Sequence, residues 1–137
     1  MQDAGATYLV RVRAGDYSQA LATARNHTLT LNIQKGGSQG FNPAETLLAA
    51  IGTCILTNVG SLSRKMRIDI LDAWVDLNAK RNDDPPGLTD INYRLVIRSQ
   101  AERDKLEQLH DLAIRWGTVT NTLAQGVIPH GQLVIQA

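Results

Sequence analysis

Cys54 is the only thiol among 137 residues, and it is the one side chain here equipped for chemistry at sulfur. A thiolate attacks peroxides and activated carbonyls, and only the ionised sulfur does so at a useful rate. It lies in Asn42-Pro43-Ala44-Glu45-Thr46-Leu47-Leu48-Ala49-Ala50-Ile51-Gly52-Thr53-Cys54. Asn42 is placed to accept from first-turn amides, Pro43 suits the first helical position, and Glu45 can reach back to the cap. Leu47, Leu48, Ala49, Ala50, Ile51, Ile55, Leu56 and Val59 then leave no polar face for two turns, as in a helix enclosed by protein. Cys54 is therefore expected in the middle of the core. Packing competes with reactivity as its role, because free cysteine is among the most buried residue types. A mid-helix position also gains little from the N-terminal dipole.

The other reactive residue types form no constellation. His27, His110 and His130 are far apart and include no H-x-x-x-H pair. His110 lies beside the inward stripe of its helix; a surface or capping role is expected, and a Cys54–His110 dyad has no particular support. Thr57, Ser61 and Ser63 lack a nucleophile-elbow context. Asp72, Asp76, Asp83, Asp84 and Asp90 fit no calcium loop, so no metal site is expected. Trp116 reads as a core residue at a helix end. Trp74 reads either as a covered sheet-face residue or as a pocket wall.

The positioning elements follow from hydrophobic period. N-terminal strands are expected within 7–34, with Leu29, Leu31 and Ile33 sharing a face, and a Gly-rich loop leads to a central helix over 43–65. A strand hairpin follows over 69–98. Its inward residues are Leu71, Ala73, Val75, Leu77 and Ala79, then Ile91, Tyr93, Leu95 and Ile97. Residues 81–87 are expected as an unpaired loop because of Pro85 and Pro86. A helix over 100–116 is expected to be capped by Ser99 with Glu102, to bury Leu106, Leu109, Leu112, Ala113 and Trp116, and to stop at a left-handed Gly117. A short helix over 118–125 and a last strand over 131–136 complete a single α+β domain.

Composition narrows the partners. A net charge of +1, from 14 basic and 13 acidic residues, gives no electrostatic footprint for nucleic acid. No apolar run is read as approaching the roughly 20 residues of a membrane span, and the Met1-Gln2-Asp3 start is not a secretion signal. One cysteine precludes an internal disulfide. A cytoplasmic protein without cofactor is expected. The central helix, apolar on all sides and notched by Gly52 and Gly60, calls for a second subunit, so an obligate homodimer is expected.

Asn-Pro, an acid-bearing turn, Leu-Leu-Ala-Ala, a small residue and Cys together resemble the osmotically induced protein C and organic hydroperoxide resistance (OsmC/Ohr) family. The Gly-rich loop, the hairpin and Trp116-Gly117-Thr118-Val119-Thr120-Asn121-Thr122-Leu123 extend the resemblance over nearly the whole chain. It implies an intertwined homodimer with sheets wrapped around long central helices. In active members one cysteine attacks an organic hydroperoxide and a second resolves the sulfenic acid to a disulfide. The resemblance places Cys54 as the attacking thiol. The second-cysteine position falls on Gly117 and the catalytic-acid position on Ala44. The thiolate-holding arginine is Arg13 or Arg25, with Arg13 preferred. Three functions are thus expected to compete. The first is a stress- or redox-related protein that has lost two-cysteine reduction and binds a small apolar ligand at the dimer interface through Leu47, Ile51 and Trp116. The second is a one-cysteine organic hydroperoxide reductase using an external thiol. The third, outside the family, is a hot-dog-like thioesterase with Glu45 as base.

Overall fold

The computed structural model describes residues 5–136. Its elements run β1 (Arg11–Ala14), β2 (Gln19–Ala24), β3 (His27–Asn32), α1 (Pro43–Met66), β4 (Asp72–Asp83), β5 (Pro86–Arg98), α2 (Arg103–Arg115) and α3 (Thr118–Gln125). This is the expected α+β order as far as α3. The chain divides into two compact units, one ending at Leu48 and the other beginning at Ala49.

The first unit holds a three-stranded antiparallel sheet in the order β1–β2–β3. Asp16 tightens the β1–β2 connection: one carboxylate oxygen accepts from the Ser18 amide at 2.7 Å, the Ser18 hydroxyl at 2.6 Å and the Gln19 amide at 3.0 Å. The Ser18 hydroxyl bond, then the two amide bonds, lower the pKa of this carboxyl below its usual range. On the face shared by Leu29, Leu31 and Ile33, Leu29 and Ile33 are exposed in this unit. The buried positions are instead Ala20, Ala22 and, unexpectedly, the polar Asn32. Asn32 is satisfied because it organises the Gly-rich loop: its side chain donates to the Gly37 carbonyl at 3.0 Å and accepts from the Gln34 amide at 2.9 Å. A Cβ on Gly37 would stand 2.7 Å from Asn32 Oδ1, so the loop closes only over glycine. Asn42 and Glu45 then exchange bonds, Glu45 N to Asn42 Oδ1 at 2.8 Å and Asn42 N to Glu45 Oε1 at 3.0 Å. That reciprocal box starts α1.

In the second unit α1 presents one buried stripe, Ile51, Gly52, Ile55, Val59 and Ser63, at helical spacing. Ile55 and Leu109 of α2 are fully buried. β4 and β5 pair antiparallel, with Ala73↔Ile97, Val75↔Leu95 and Leu77↔Tyr93 in register. Burial alternates along β4 as expected for Ala73, Val75, Leu77 and Ala79, whereas Leu71 is exposed.

Three expectations need correction. The hairpin ladder continues past residue 81 to Asp83↔Pro86. Pro86 opens a strand, where a missing amide is tolerated, and so does not interrupt pairing. A register shift between Asn78 and Lys80 leaves an extra residue on β5, with Asp90 at φ 53. This bulge reverses the strand's side-chain parity. Ser99 does not cap α2: its hydroxyl donates to the Asp69 carbonyl at 2.7 Å and accepts from the Ala101 amide, and the helix starts at Arg103 behind Glu102. Gly117 is extended, φ −81 and ψ 123, so no left-handed requirement explains it.

Residues 127–136 form neither helix nor strand. The last strand expected over 131–136 lacks a ladder partner among the described residues, and Leu133, Val134 and Ile135 are exposed. α1 also passes the length and composition test for a membrane span, against the expectation that no run would. Its stripe packs against protein, and only 28% of its 18-residue apolar window is buried.

Leu109→Ala is expected to lower unfolding free energy by roughly 2–5 kcal/mol, the cost of an uncollapsed core cavity. Asn42→Ala should cost about 1 kcal/mol through its lost cap. Equilibrium urea unfolding of both variants checks these magnitudes.

Candidate functional site

Cys54 lies on α1 one residue from the buried stripe and is half-buried, not enclosed as the sequence suggested. One turn further along, Asn58 reaches α2, its amide donating to the Ala113 carbonyl at 3.0 Å. This bond brings the end of α2 against the Cys54 turn. Gly117 follows immediately and is buried. A Cβ at position 117 would stand 3.2 Å from Cys54 Sγ and 3.4 Å from the Ala113 carbonyl oxygen.

The same Cβ would collide with Thr120 Oγ1. Thr120 is held there by two bonds of 3.2 Å, its hydroxyl donating to the carbonyls of Ile114 and Gly117. Position 117 is thus the place from which a second thiol would face Cys54, and a neighbouring hydroxyl has taken the space its side chain needs. Sequence reasoning placed Cys54 and Gly117 but missed Asn58 and Thr120. The available signal for Asn58 was an amide four residues after the thiol in an apolar helix, where it needs a buried partner. Thr120 carried no comparable signal.

Arg13 lies in β1 and Arg25, at φ 55, in the β2–β3 turn; both belong to the first unit. Ala44 and Leu47 are half-buried in the first turns of α1, and Glu45 is engaged in the cap. Ile51 is a core residue, while Trp116 ends α2 at 50% exposure rather than filling the core. Trp74, 41% exposed, pairs across the sheet with Val96. A groove of about 460 Å³ lies away from the thiol, lined by Arg67, Ile68, Asp69, Gln100, Ala101, Glu102 and Lys105. Among the described residues no group of three His, Cys, Asp or Glu could hold a metal ion.

His110 is bonded to Tyr93, with the phenol oxygen 2.5 Å from Nε2 and the rings edge-on. Burial, then the charge of Asp111, raises the Tyr93 pKa above the usual phenol value. Which of the two donates follows from the imidazole tautomer. This pair ties β5 to α2 and gives His110 a partner other than the thiol.

A family model described as OsmC-like protein matches residues 36–129. Protein YhfA of Escherichia coli K12 is 29% identical over 83 residues, 60% of this chain, and the match spans 61% of the length of YhfA. An OsmC-like protein from Mycoplasma pneumoniae superposes with a TM-score of 0.81 at 23% identity, covering 90% of each chain. The organic hydroperoxide resistance protein OhrB of Bacillus subtilis gives 0.59 at 19% identity, covering 85% of this chain and 89% of that one.

Two outcomes test this geometry. In a Thr120→Ala background, Gly117→Cys should form a disulfide with Cys54 on mild oxidation, seen as a reversible loss of free thiol; with Thr120 retained, the bond should form far less. The Tyr93 proton is bound more tightly in the folded chain, so its stabilisation is complete below the ordinary phenol value near 10. It is lost as pH rises through the higher folded value. Ultraviolet titration should show a late tyrosinate step that Tyr93→Phe removes and Asp111→Asn shifts to lower pH.

Proposed function

The chain belongs to the OsmC-like family, and from that premise we propose a stress- or redox-related protein that no longer runs the family's two-cysteine reduction of organic hydroperoxides. The observation carrying this reading is the Cys54–Gly117 approach, in which the resolving position faces the thiol without a sulfur of its own. The chemistry left to Cys54 is that of a single thiol. Its thiolate attacks the terminal oxygen of an organic hydroperoxide, the O–O bond breaks, and the alkoxide takes a proton from solvent and leaves as alcohol. The resulting sulfenic acid condenses with an external thiol, releasing water, and a second external thiol regenerates Cys54 with formation of a disulfide. Half-burial supports access of both reactants. Arg13 and Arg25 are the candidates for holding the thiolate, and Ala44 supplies no acid.

We infer that the working form is an intertwined homodimer in the cytoplasm. Ala50, Thr53 and Thr57 are exposed along an otherwise apolar helix, and Ile128, Leu133, Val134 and Ile135 are exposed beyond α3. A second copy would cover such surface. A lone thiol with no intrachain partner suits a reducing compartment. The uncovered α1 flank also supports a second reading, in which the dimer interface holds a small apolar ligand near Cys54, bordered by Leu47, Ile51 and Trp116. The thioesterase reading has no comparable support, because Glu45 serves the helix cap.

Cumene hydroperoxide consumption with a small dithiol should be measurable for the native protein and absent for Cys54→Ser. Equal consumption by both proteins, or none by either, removes the one-thiol reading. Arg13→Ala or Arg25→Ala should lower the rate if that residue holds the thiolate. Sedimentation at low micromolar concentration should give a dimer.

A further inference from the structure

We propose that residues 8–12, which include the free edge of β1, take residues 133–135 of a second copy as an added strand, and that the two copies exchange these segments reciprocally; this rests on the homodimer reading above. In the order β1–β2–β3 the outer edge of β1 carries no strand among the described residues, and all four residues of β1 are exposed. Its ladder to β2 ends at Arg11↔Thr23, and β2 ends one residue later at Ala24, before the turn at Arg25. Tyr8 and Leu9 therefore run past the hairpin of their own sheet, where no residue of β2 is left to meet them. An edge of this kind presents unpaired amides and carbonyls and is a template for a further strand.

The register shows which side chains such a strand would join. Val12 pairs with Ala22 and Ala14 with Ala20, and both of these β2 alanines are buried. Period two puts Tyr8 and Val10 on the same face as Val12. All three are exposed, so this apolar face is unfinished. Beyond α3, Leu133-Val134-Ile135 has no ladder partner among the described residues, although branched aliphatic residues suit strands. In an added strand Leu133 and Ile135 share one face and extend the row of Tyr8, Val10 and Val12, with Val134 on the other.

The occupant is a second copy because one chain carries both halves, an edge without a strand and a strand-forming segment without a ladder. Two copies related by a two-fold axis satisfy both at once and leave neither open. The seven large apolar side chains of the two segments (Tyr8, Leu9, Val10 and Val12 with Leu133, Val134 and Ile135) are 59–83% exposed. At roughly 100 Å² apiece, the reciprocal exchange takes on the order of 1,000 Å² out of water, the size a specific interface needs.

The test uses the full chain with Cys54→Ser, so that introduced thiols are the only ones. Val10→Cys is combined in turn with Leu133→Cys, Val134→Cys or Ile135→Cys, oxidised mildly and run on a non-reducing gel. A dimer-sized disulfide is expected with Leu133→Cys or Ile135→Cys. Val134→Cys should give about tenfold less, since side chains on opposite faces cannot reach disulfide geometry. Equal linking at all three positions overturns the assignment, because a ladder has one parity. A monomer-sized oxidised product also overturns it, since the segment would then fold back on its own chain. No link at any position, with sedimentation still giving a dimer, removes the strand exchange and leaves the homodimer reading standing. A native chain that sediments as a monomer removes both.

Discussion

One hydrogen bond fixes the packing beside the lone thiol: the Asn58 amide on the Ala113 carbonyl, 55 positions away in sequence. It joins α1 to the last turn of α2, where the chain is about to leave the helix. Cys54 precedes Asn58 by one turn of α1, and Gly117 follows Ala113 by about one turn along the chain. A single polar anchor thereby brings the thiol turn and the α2–α3 junction face to face. Losing an amide partner at a buried carbonyl costs more than the bond itself contributes, because the carbonyl is left dry. The approach is consequently both local and firmly held.

The residue at position 117 decides how much room lies beside the thiol. In this chain the fold brings position 117 within 3.2 Å (for a Cβ) of the Cys54 sulfur. Glycine makes that position unreactive and lets Thr120 turn its hydroxyl into the space. The two residues are coupled, since a side chain at 117 and the present Thr120 conformer cannot coexist. The space beside the sulfur is therefore set by two small residues, Gly117 and Thr120.

α1 carries the second constraint. Within the second unit its buried stripe meets β4 and α2, and Gly52 admits Leu77 so closely that a Cβ would stand 3.0 Å from the Leu77 methyl. Outside the stripe, Leu47, Leu48 and Leu56 are half-buried, while Ala50, Thr53 and Thr57 are exposed. The helix cap at Asn42 and Glu45 is satisfied within its own first turn, so the helix begins where it does regardless of what later covers its flank.

The sequence by itself determined the order of elements, the start of α1, the alternation of β4 and the identity of the single reactive sulfur. These features depend on neighbours a few residues apart, where cap chemistry and hydrophobic period are read directly. It misjudged Pro86, Ser99 and the φ of Gly117, because each residue type has two local uses and distant partners choose between them. Asp69 takes the Ser99 hydroxyl, and Cys54 with Thr120 supplies the reason for Gly117. Only the tertiary structure could decide that Cys54 is half-buried and that a hydroxyl fills the gap beside it. Proximity across 63 positions is fixed by helix packing, and helix packing leaves no periodic trace in one sequence.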